Sequence, residues 1–129
     1  MKIGRTKISG LDKMQDSDLI LGFLKAVKRD TNLKLPALIE FKKLKFNRYG
    51  CAWTTRIIIN NALDFKNIIY TLLHELVHVN LPKQGHTKKF WFKLFKVCTQ
   101  LNLEPIIETD DSYKRAAQYL KKYKLKRGD

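Results

Sequence analysis

The segment FKNIIYTLLHELVHV, residues 65–79, decides the fold. Its apolar residues recur at helical spacing around most of the circumference, which predicts a largely buried α-helix with Asp64 as its N-terminal cap. A polar stripe interrupts this apolar surface, and burying such a stripe without partners would be costly. The stripe consists of Thr71, His74, Glu75 and His78.

The stripe contains the pattern His-Glu-x-x-His at positions 74–78. Two histidines four residues apart on a helix lie one turn above each other, so both imidazoles reach one ion. Glu75 lies beside the first imidazole and is placed to take a proton from a water that the metal activates. The pattern is typical of zinc metalloproteases. The structural alternative is a pair of core histidines satisfied by hydrogen bonds.

A catalytic zinc usually has three protein ligands and one open position, so a third ligand is expected downstream. The candidates are His86, Glu104, Glu108, Asp110 and Asp111. Pro82 and Gly85 end the helix and allow the chain to turn back toward it. We therefore predict that His86, the remaining histidine of the chain, is the third ligand. The alternative is a surface histidine at the start of the next helix.

The other segments predict three more helices and two strands in a single domain spanning residues 1–129. The helices cover 11–32, 87–101 and about 110–127, with 110–112 suited to the last N-terminus. The strands cover 39–46 and 51–60, and the turn 47–50 predicts that they form a hairpin. A short extended piece is expected at 105–107. The order helix, hairpin, helix, helix, helix favours an α+β fold over a βαβ sheet.

Composition excludes several classes of protein. A chain of 129 residues with 44% hydrophobic residues is long and apolar enough to bury a core. No apolar run reaches the roughly 18 residues that span a bilayer, and residues 1–10 show no secretory signal. Cys51 and Cys98 are too few for a disulfide scaffold or a four-thiolate zinc ribbon. We expect an intracellular protein, cytoplasmic or associated with the nucleoid or nucleus, with no membrane contact.

The charge points to a polyanionic partner. The chain has 26 Lys and Arg against 12 Asp and Glu, a net charge of +14. Basic residues interleaved with tyrosines near the C-terminus predict binding to DNA, RNA or a ribosome, because lysines contact phosphates and tyrosines stack on bases. A solvated helix face with core tyrosines is the alternative. The predicted contacts are Lys88, Lys89, Lys114, Arg115, Lys121, Lys122, Lys124, Lys126 and Arg127.

Residues 74–78, followed by Gly85-His86-Thr87-Lys88-Lys89-Phe90-Trp91, resemble the SprT-like zinc metallopeptidases, which include the SprT, YgjP and Spartan types. That family has a third histidine after His-Glu-x-x-His and an aromatic residue four positions beyond it. Residues 48–51 and 57–60 resemble the family's hairpin, so the resemblance covers about 48–98.

The resemblance implies a small zincin-like metalloprotease core, with a short antiparallel sheet packed with about four helices. It implies Zn2+ held by His74, His78 and His86, with Glu75 as the general base. Family members are associated with DNA, and some cleave proteins crosslinked to it. The cysteine-rich ribbon of several members is missing, so targeting would rest on the basic surface.

The sequence does not assign a catalytic role to the other residues expected near the metal site. Tyr49, Trp53 and Arg56 lie near it in the family-like arrangement, but their spacing does not select an oxyanion stabiliser. Packing is the expected role of Trp53, Phe90 and Trp91.

Three functions are compatible with the sequence. The first is a zinc-dependent peptidase that acts on a protein or peptide on or near nucleic acid, as a monomer or within a larger assembly. The second is a catalytically idle, zinc-stabilised module that binds DNA, RNA or a ribosome. The third is a basic structural protein without metal, which requires the three histidines to be accidental. The presence of Glu75 favours the peptidase over the idle module, because an idle zinc scaffold needs no general base beside its histidines.

Overall fold

The computed structural model describes residues 1–45, 48–105 and 113–127, apart from the side chains of 113–115 and 127. These residues form four helices and a five-stranded mixed sheet, which confirms the α+β class. The helices are α1 (Ser17–Asp30), α2 (Phe65–Asn80), α3 (Lys88–Gln100) and α4 (Tyr113–Arg127). The strands are β1 (Lys2–Ile3), β2 (Thr6–Ser9), β3 (Leu38–Lys42), β4 (Gly50–Ala52) and β5 (Arg56–Asn60).

The sheet is mixed rather than antiparallel as expected. Its strand order is β1-β2-β3-β5-β4. The outer pairs β1–β2 and β4–β5 are antiparallel, whereas β2–β3 and β3–β5 are parallel. The three consecutive isoleucines of β5 are all buried, as is typical of an inner strand covered on both faces.

The predicted hairpin between 39–46 and 51–60 is wrong. Instead, the second segment folds on itself as the hairpin β4–β5, closed where the Trp53 N–H donates to the Arg56 carbonyl at 2.8 Å. Strand β3 then pairs in parallel with β5, with Ile39 opposite Ile57. A parallel pairing excludes a tight turn between β3 and β5, because their like ends lie at the same edge of the sheet.

The N-terminal segment also forms strands, which the sequence interpretation did not predict. Residues 1–10 alternate basic and apolar side chains, and β2 buries Thr6 and Ile8 while exposing the residues between them. Helix α1 connects β2 to its parallel neighbour β3, so β2–α1–β3 is a βαβ unit, contrary to expectation. Helix α1 is also shorter than the predicted 11–32.

Helix α2 matches its prediction within one residue and packs against the edge of the sheet. The Asp64 carboxylate accepts a hydrogen bond from the Asn67 N–H at 2.9 Å, which confirms the cap. Strand β4 lies so close to α2 that a Cβ on Gly50 would stand 3.0 Å from Cγ2 of Thr71, and the same Cβ would stand 2.7 Å from the carbonyl oxygen of Ile58 in β5. This close approach places β4 beside the turn of α2 that precedes His74.

Helix α3 is confirmed, and it packs between α2 and α4. Its buried face is completed by Ala116 of α4, while Tyr123 of α4 contacts Phe92 and Phe95. Residues 106 and 107 of the extended piece predicted at 105–107, and the α4 cap predicted at 110–112, lie outside the described residues. Among the residues described, no helix has the length and apolarity needed to cross a bilayer.

Candidate metal centre

The connection between α2 and α3 returns the chain to the polar stripe of α2. Helix α2 ends where the Leu81 N–H donates to the Val77 carbonyl at 2.9 Å. Lys83 then takes a left-handed conformation with φ of 68°, so the reversal uses Lys83 rather than Gly85. Thr87 caps α3 by accepting from the Phe90 N–H, which fixes the chain directly after the third histidine.

The three histidines converge on one point. The Nε2 atom of His74 lies 3.0 Å from Nε2 of His86 and 3.2 Å from Nε2 of His78, and the last two atoms are also 3.2 Å apart. Among the described residues, no other His, Cys, Asp or Glu joins this group. Glu104 is therefore not part of it, and Glu108, Asp110 and Asp111 lie outside the described residues.

This triangle of nitrogens fits a metal ion better than a set of hydrogen bonds. Each Nε2 of a neutral imidazole either carries a proton or presents a lone pair. With three such atoms and only two possible states, at least two of the atoms are in the same state. At least one of the three contacts therefore joins two donors or two acceptors, which form no hydrogen bond with each other. A tetrahedral zinc with bonds of about 2.0–2.1 Å places its ligand nitrogens about 3.3 Å apart, close to the observed edges.

The surroundings keep the imidazoles of His74 and His78 neutral, which is the form that binds metal. Burial, followed by the neighbouring His78 and His86, lowers the pKa of His74 to about 3. Burial and His86 lower the pKa of His78 to about 4, against a hydrogen bond to the Gln84 backbone that raises it. Such a backbone contact on the second ring nitrogen orients a metal-binding histidine.

Aromatic side chains pack against the imidazole rings of the histidine cluster on one side, and the opposite side of the cluster is open to solvent. Phe90 stacks on His78 with ring centroids 4.4 Å apart and meets His74 edge-on at 4.9 Å. Phe90 and Trp91 are buried, which confirms their packing role. His86 is exposed, so the point of convergence is reached from solvent.

Glu75 is buried directly beside the histidine cluster. It is 7% exposed, and its Oε1 atom lies 4.0 Å from Nε2 of His74. Burial raises the pKa of its carboxyl to about 7. The carboxylate thus lies beside the triangle of histidine nitrogens and is not part of it.

A cleft of about 460 Å³ opens beside His74 and Glu75, between α2, α3 and β4. Tyr49 lines this cleft, whereas Trp53 and Arg56 do not. The Arg56 guanidinium lies 4.4 Å from the ring centre of Trp53 and 3.7 Å from Glu40. Trp53 is 46% exposed, so the packing role expected for it is wrong. The reason is its position in the tight turn of the β4–β5 hairpin.

A second groove, of about 640 Å³, lies between α3 and α4. Leu81, Phe92 and Tyr123 form its apolar lining. Lysines surround it, and none of them is ion-paired among the described residues. We call this surface the lysine groove; its lysines are Lys89, Lys93, Lys96 and Lys126.

The other predicted nucleic-acid contacts lie on helices α3 and α4, and those whose side chains the structure describes do not line the lysine groove. Lys88 is exposed, with its Nζ 5.3 Å from the Phe92 ring centre. On α4, Lys121 and Lys122 are exposed and Lys124 is half-buried. The side chains of Lys114, Arg115 and Arg127 lie outside the described part of the chain. Helices α3 and α4 contain no acidic residue, so all the charged side chains of these two helices are basic.

No family model, curated protein or solved structure matches this chain.

Sequence interpretation missed the residues that line the cleft. Trp91, Leu94, Phe95 and Cys98 recur at helical spacing on α3, as the residues of a core face do, and all four are buried. Apolar residues have the same helical spacing whether they face the core or line a cleft. Periodicity shows which residues share one face of a helix, but it does not show what packs against that face. Tyr70, one turn before His74, also lines the cleft and carried no separate signal.

Proposed function

We propose that this protein is a zinc-dependent metallopeptidase of the SprT-like type, acting on a protein or peptide on or near nucleic acid. The observation that carries the proposal is the convergence of three Nε2 atoms within 3.0–3.2 Å of one another, with a buried carboxylate 4.0 Å away. The helix α2 that carries two of the histidines lies against the edge of a mixed sheet, an arrangement compatible with a zincin-like core.

In this proposal His74, His78 and His86 hold the ion, and the exposed side of the cluster admits water and substrate. Bound zinc would supply Lewis acidity toward the scissile carbonyl and would lower the pKa of a water toward about 7. Glu75 accepts the proton of the attacking water and returns a proton to the leaving amine. The apolar packing of Phe90 excludes solvent behind the imidazoles and keeps their orientation fixed.

Association with nucleic acid is supported by a separate observation. The lysine groove lies between helices α3 and α4, and neither helix contains an acidic residue. Helix α3 begins at Lys88, two residues after His86. Its lysines therefore follow a single helix that starts beside the histidine cluster. A nucleic acid held by these lysines would bring bound proteins near the cleft. The same surface would serve a catalytically idle zinc module, which is the second candidate function.

The test compares the zinc-loaded wild-type chain with Glu75→Gln on an unfolded protein substrate, with and without single-stranded DNA. Loss of a general base predicts a decrease of about 100-fold to 10,000-fold in cleavage rate at unchanged zinc content. Glu104→Gln is the matched control, because this exposed carboxylate lies outside the cluster. Zinc binding without any cleavage that depends on Glu75 would support the idle module instead.

A further inference from the structure

The cleft beside Glu75 has an apolar wall and a polar rim. Its wall comes mainly from one face of α3, where Trp91, Leu94 and Phe95 are at most 7% exposed. Trp91 stacks on Phe95 at 6.0 Å and meets His74 edge-on at 6.0 Å, so the wall continues to the first predicted ligand. Tight packing of these large rings makes the wall rigid.

The far end of the cleft is closed by a hydrogen bond between two elements. The Tyr70 hydroxyl donates to the Glu104 carbonyl at 2.6 Å, which ties α2 to the chain that follows α3. Pro105 lines the cleft next to this contact. On the rim, the charged side chains are those of Asp64, which caps α2, and Lys66 in its first turn, and both residues are exposed.

We infer that this cleft binds a large apolar side chain, of the leucine, methionine or phenylalanine class, from a residue next to the scissile bond. The inference rests on the proposed peptidase function, because only then does the cleft adjoin the reacting atoms. A volume of about 460 Å³ accommodates one such side chain with part of its backbone. An acidic side chain would have to lie against the apolar wall and the carboxylate of Glu75, because Lys66, the lysine that lines the cleft, is exposed on its rim and away from that wall.

Peptides that differ at one residue test this preference in the wild-type protein. The zinc-loaded chain is assayed on a peptide series with Phe, Leu, Ala, Gly or Asp at each position flanking the cleaved bond. At one of these positions kcat/KM for Phe or Leu should exceed that for Gly or Asp by about 10-fold or more, since each methylene in an apolar pocket contributes about that much discrimination. Equal rates for all residues, or a preference for Asp, would overturn the inference.

A pair of matched variants locates the preference in the cleft. Leu94→Ala widens the wall and should lower kcat/KM for the Leu peptide about 10-fold while changing that for the Gly peptide less than about twofold. Leu33→Ala is the control, because Leu33 is 5% exposed, similar to the 7% of Leu94, and lies away from the cleft. An equal loss on both peptides in Leu94→Ala would contradict the assignment.

A binding measurement separates this inference from the peptidase proposal. N-acetyl-phenylalanine amide is titrated into the full chain by NMR, with N-acetyl-aspartate amide as the comparison. Shifts at Tyr70 and Leu94 with at least about 10-fold weaker binding of the aspartate compound support the cleft even if no peptide is cleaved. Cleavage without side-chain preference and without these shifts would leave the peptidase standing and remove the cleft assignment.

Discussion

The Nε2 atoms of His74 and His86 lie 3.0 Å apart although twelve positions separate the two residues in the chain. His74 is fixed by the buried helix α2, and His86 is brought back by the left-handed turn at Lys83 and held by the Thr87 cap of α3. Two rigid helices therefore meet at the histidine cluster. For the proposed metal site, this arrangement predicts that little ordering of the chain would oppose metal binding.

Removing the third histidine should abolish tight zinc binding. We expect His86→Ala to weaken zinc affinity by more than about 100-fold, because removing the outer hydrogen-bond partners of a ligand alone costs about 10-fold to 100-fold. Zinc at about 1,000 times its Kd should stabilise the wild-type fold by about 4 kcal/mol, raising Tm by about 15 °C. Competition with a chromophoric chelator and thermal unfolding measure the two effects.

The matched control for His86→Ala is Gln84→Ala. Gln84 lies in the same connection, and its backbone contact to His78 survives the substitution. This variant should keep zinc affinity within about 10-fold of wild type, since it loses only its side-chain hydrogen bond with Thr87. Identical zinc affinity in wild type and His86→Ala would contradict the assignment of the third ligand.

Much of the site could be predicted from sequence because its chemistry is local. His74, Glu75 and His78 share one helix, so their spacing alone places them together, and helices α2 and α3 follow from apolar periodicity. The sheet could not be predicted in the same way. Pairing of β3 with β5 depends on which strands come together in space, whereas the turn residues at 47–50 only suggest that neighbouring segments pair.

The crowded surroundings of Gly50 and the open surroundings of Gly22 predict opposite effects for two glycine substitutions. Gly50→Ala should destabilise the fold by about 1–3 kcal/mol, because the new Cβ would meet the backbone oxygen of Ile58 at 2.7 Å. Gly22→Ala should stabilise it by about 0.5–1 kcal/mol, since Gly22 is exposed within α1 and a Cβ there meets nothing within 4 Å. Urea unfolding monitored by circular dichroism compares them; a neutral Gly50→Ala would refute the packing described.

The lysine groove predicts a steep dependence of nucleic-acid binding on salt. For single-stranded DNA, removing one lysine that binds a phosphate should reduce the slope of log affinity against log salt by about 0.7. Substituting Lys89, Lys93 or Lys96 by Gln should each produce about this change, measured by fluorescence anisotropy. Lys25→Gln on α1 is the control and should leave the slope unchanged. An affinity independent of salt, or equal effects of all four substitutions, would exclude the groove as the binding surface.

The most direct test of the account is X-ray absorption at the zinc edge of the zinc-loaded full-length chain. The account predicts one zinc per chain with three imidazole nitrogens and one oxygen ligand from water, all at about 2.0–2.1 Å. His74→Ala should lose this spectrum together with stoichiometric binding. A sulfur ligand from Cys51 or Cys98 at about 2.3 Å, or the same spectrum in His74→Ala, would contradict a zinc site built from His74, His78 and His86.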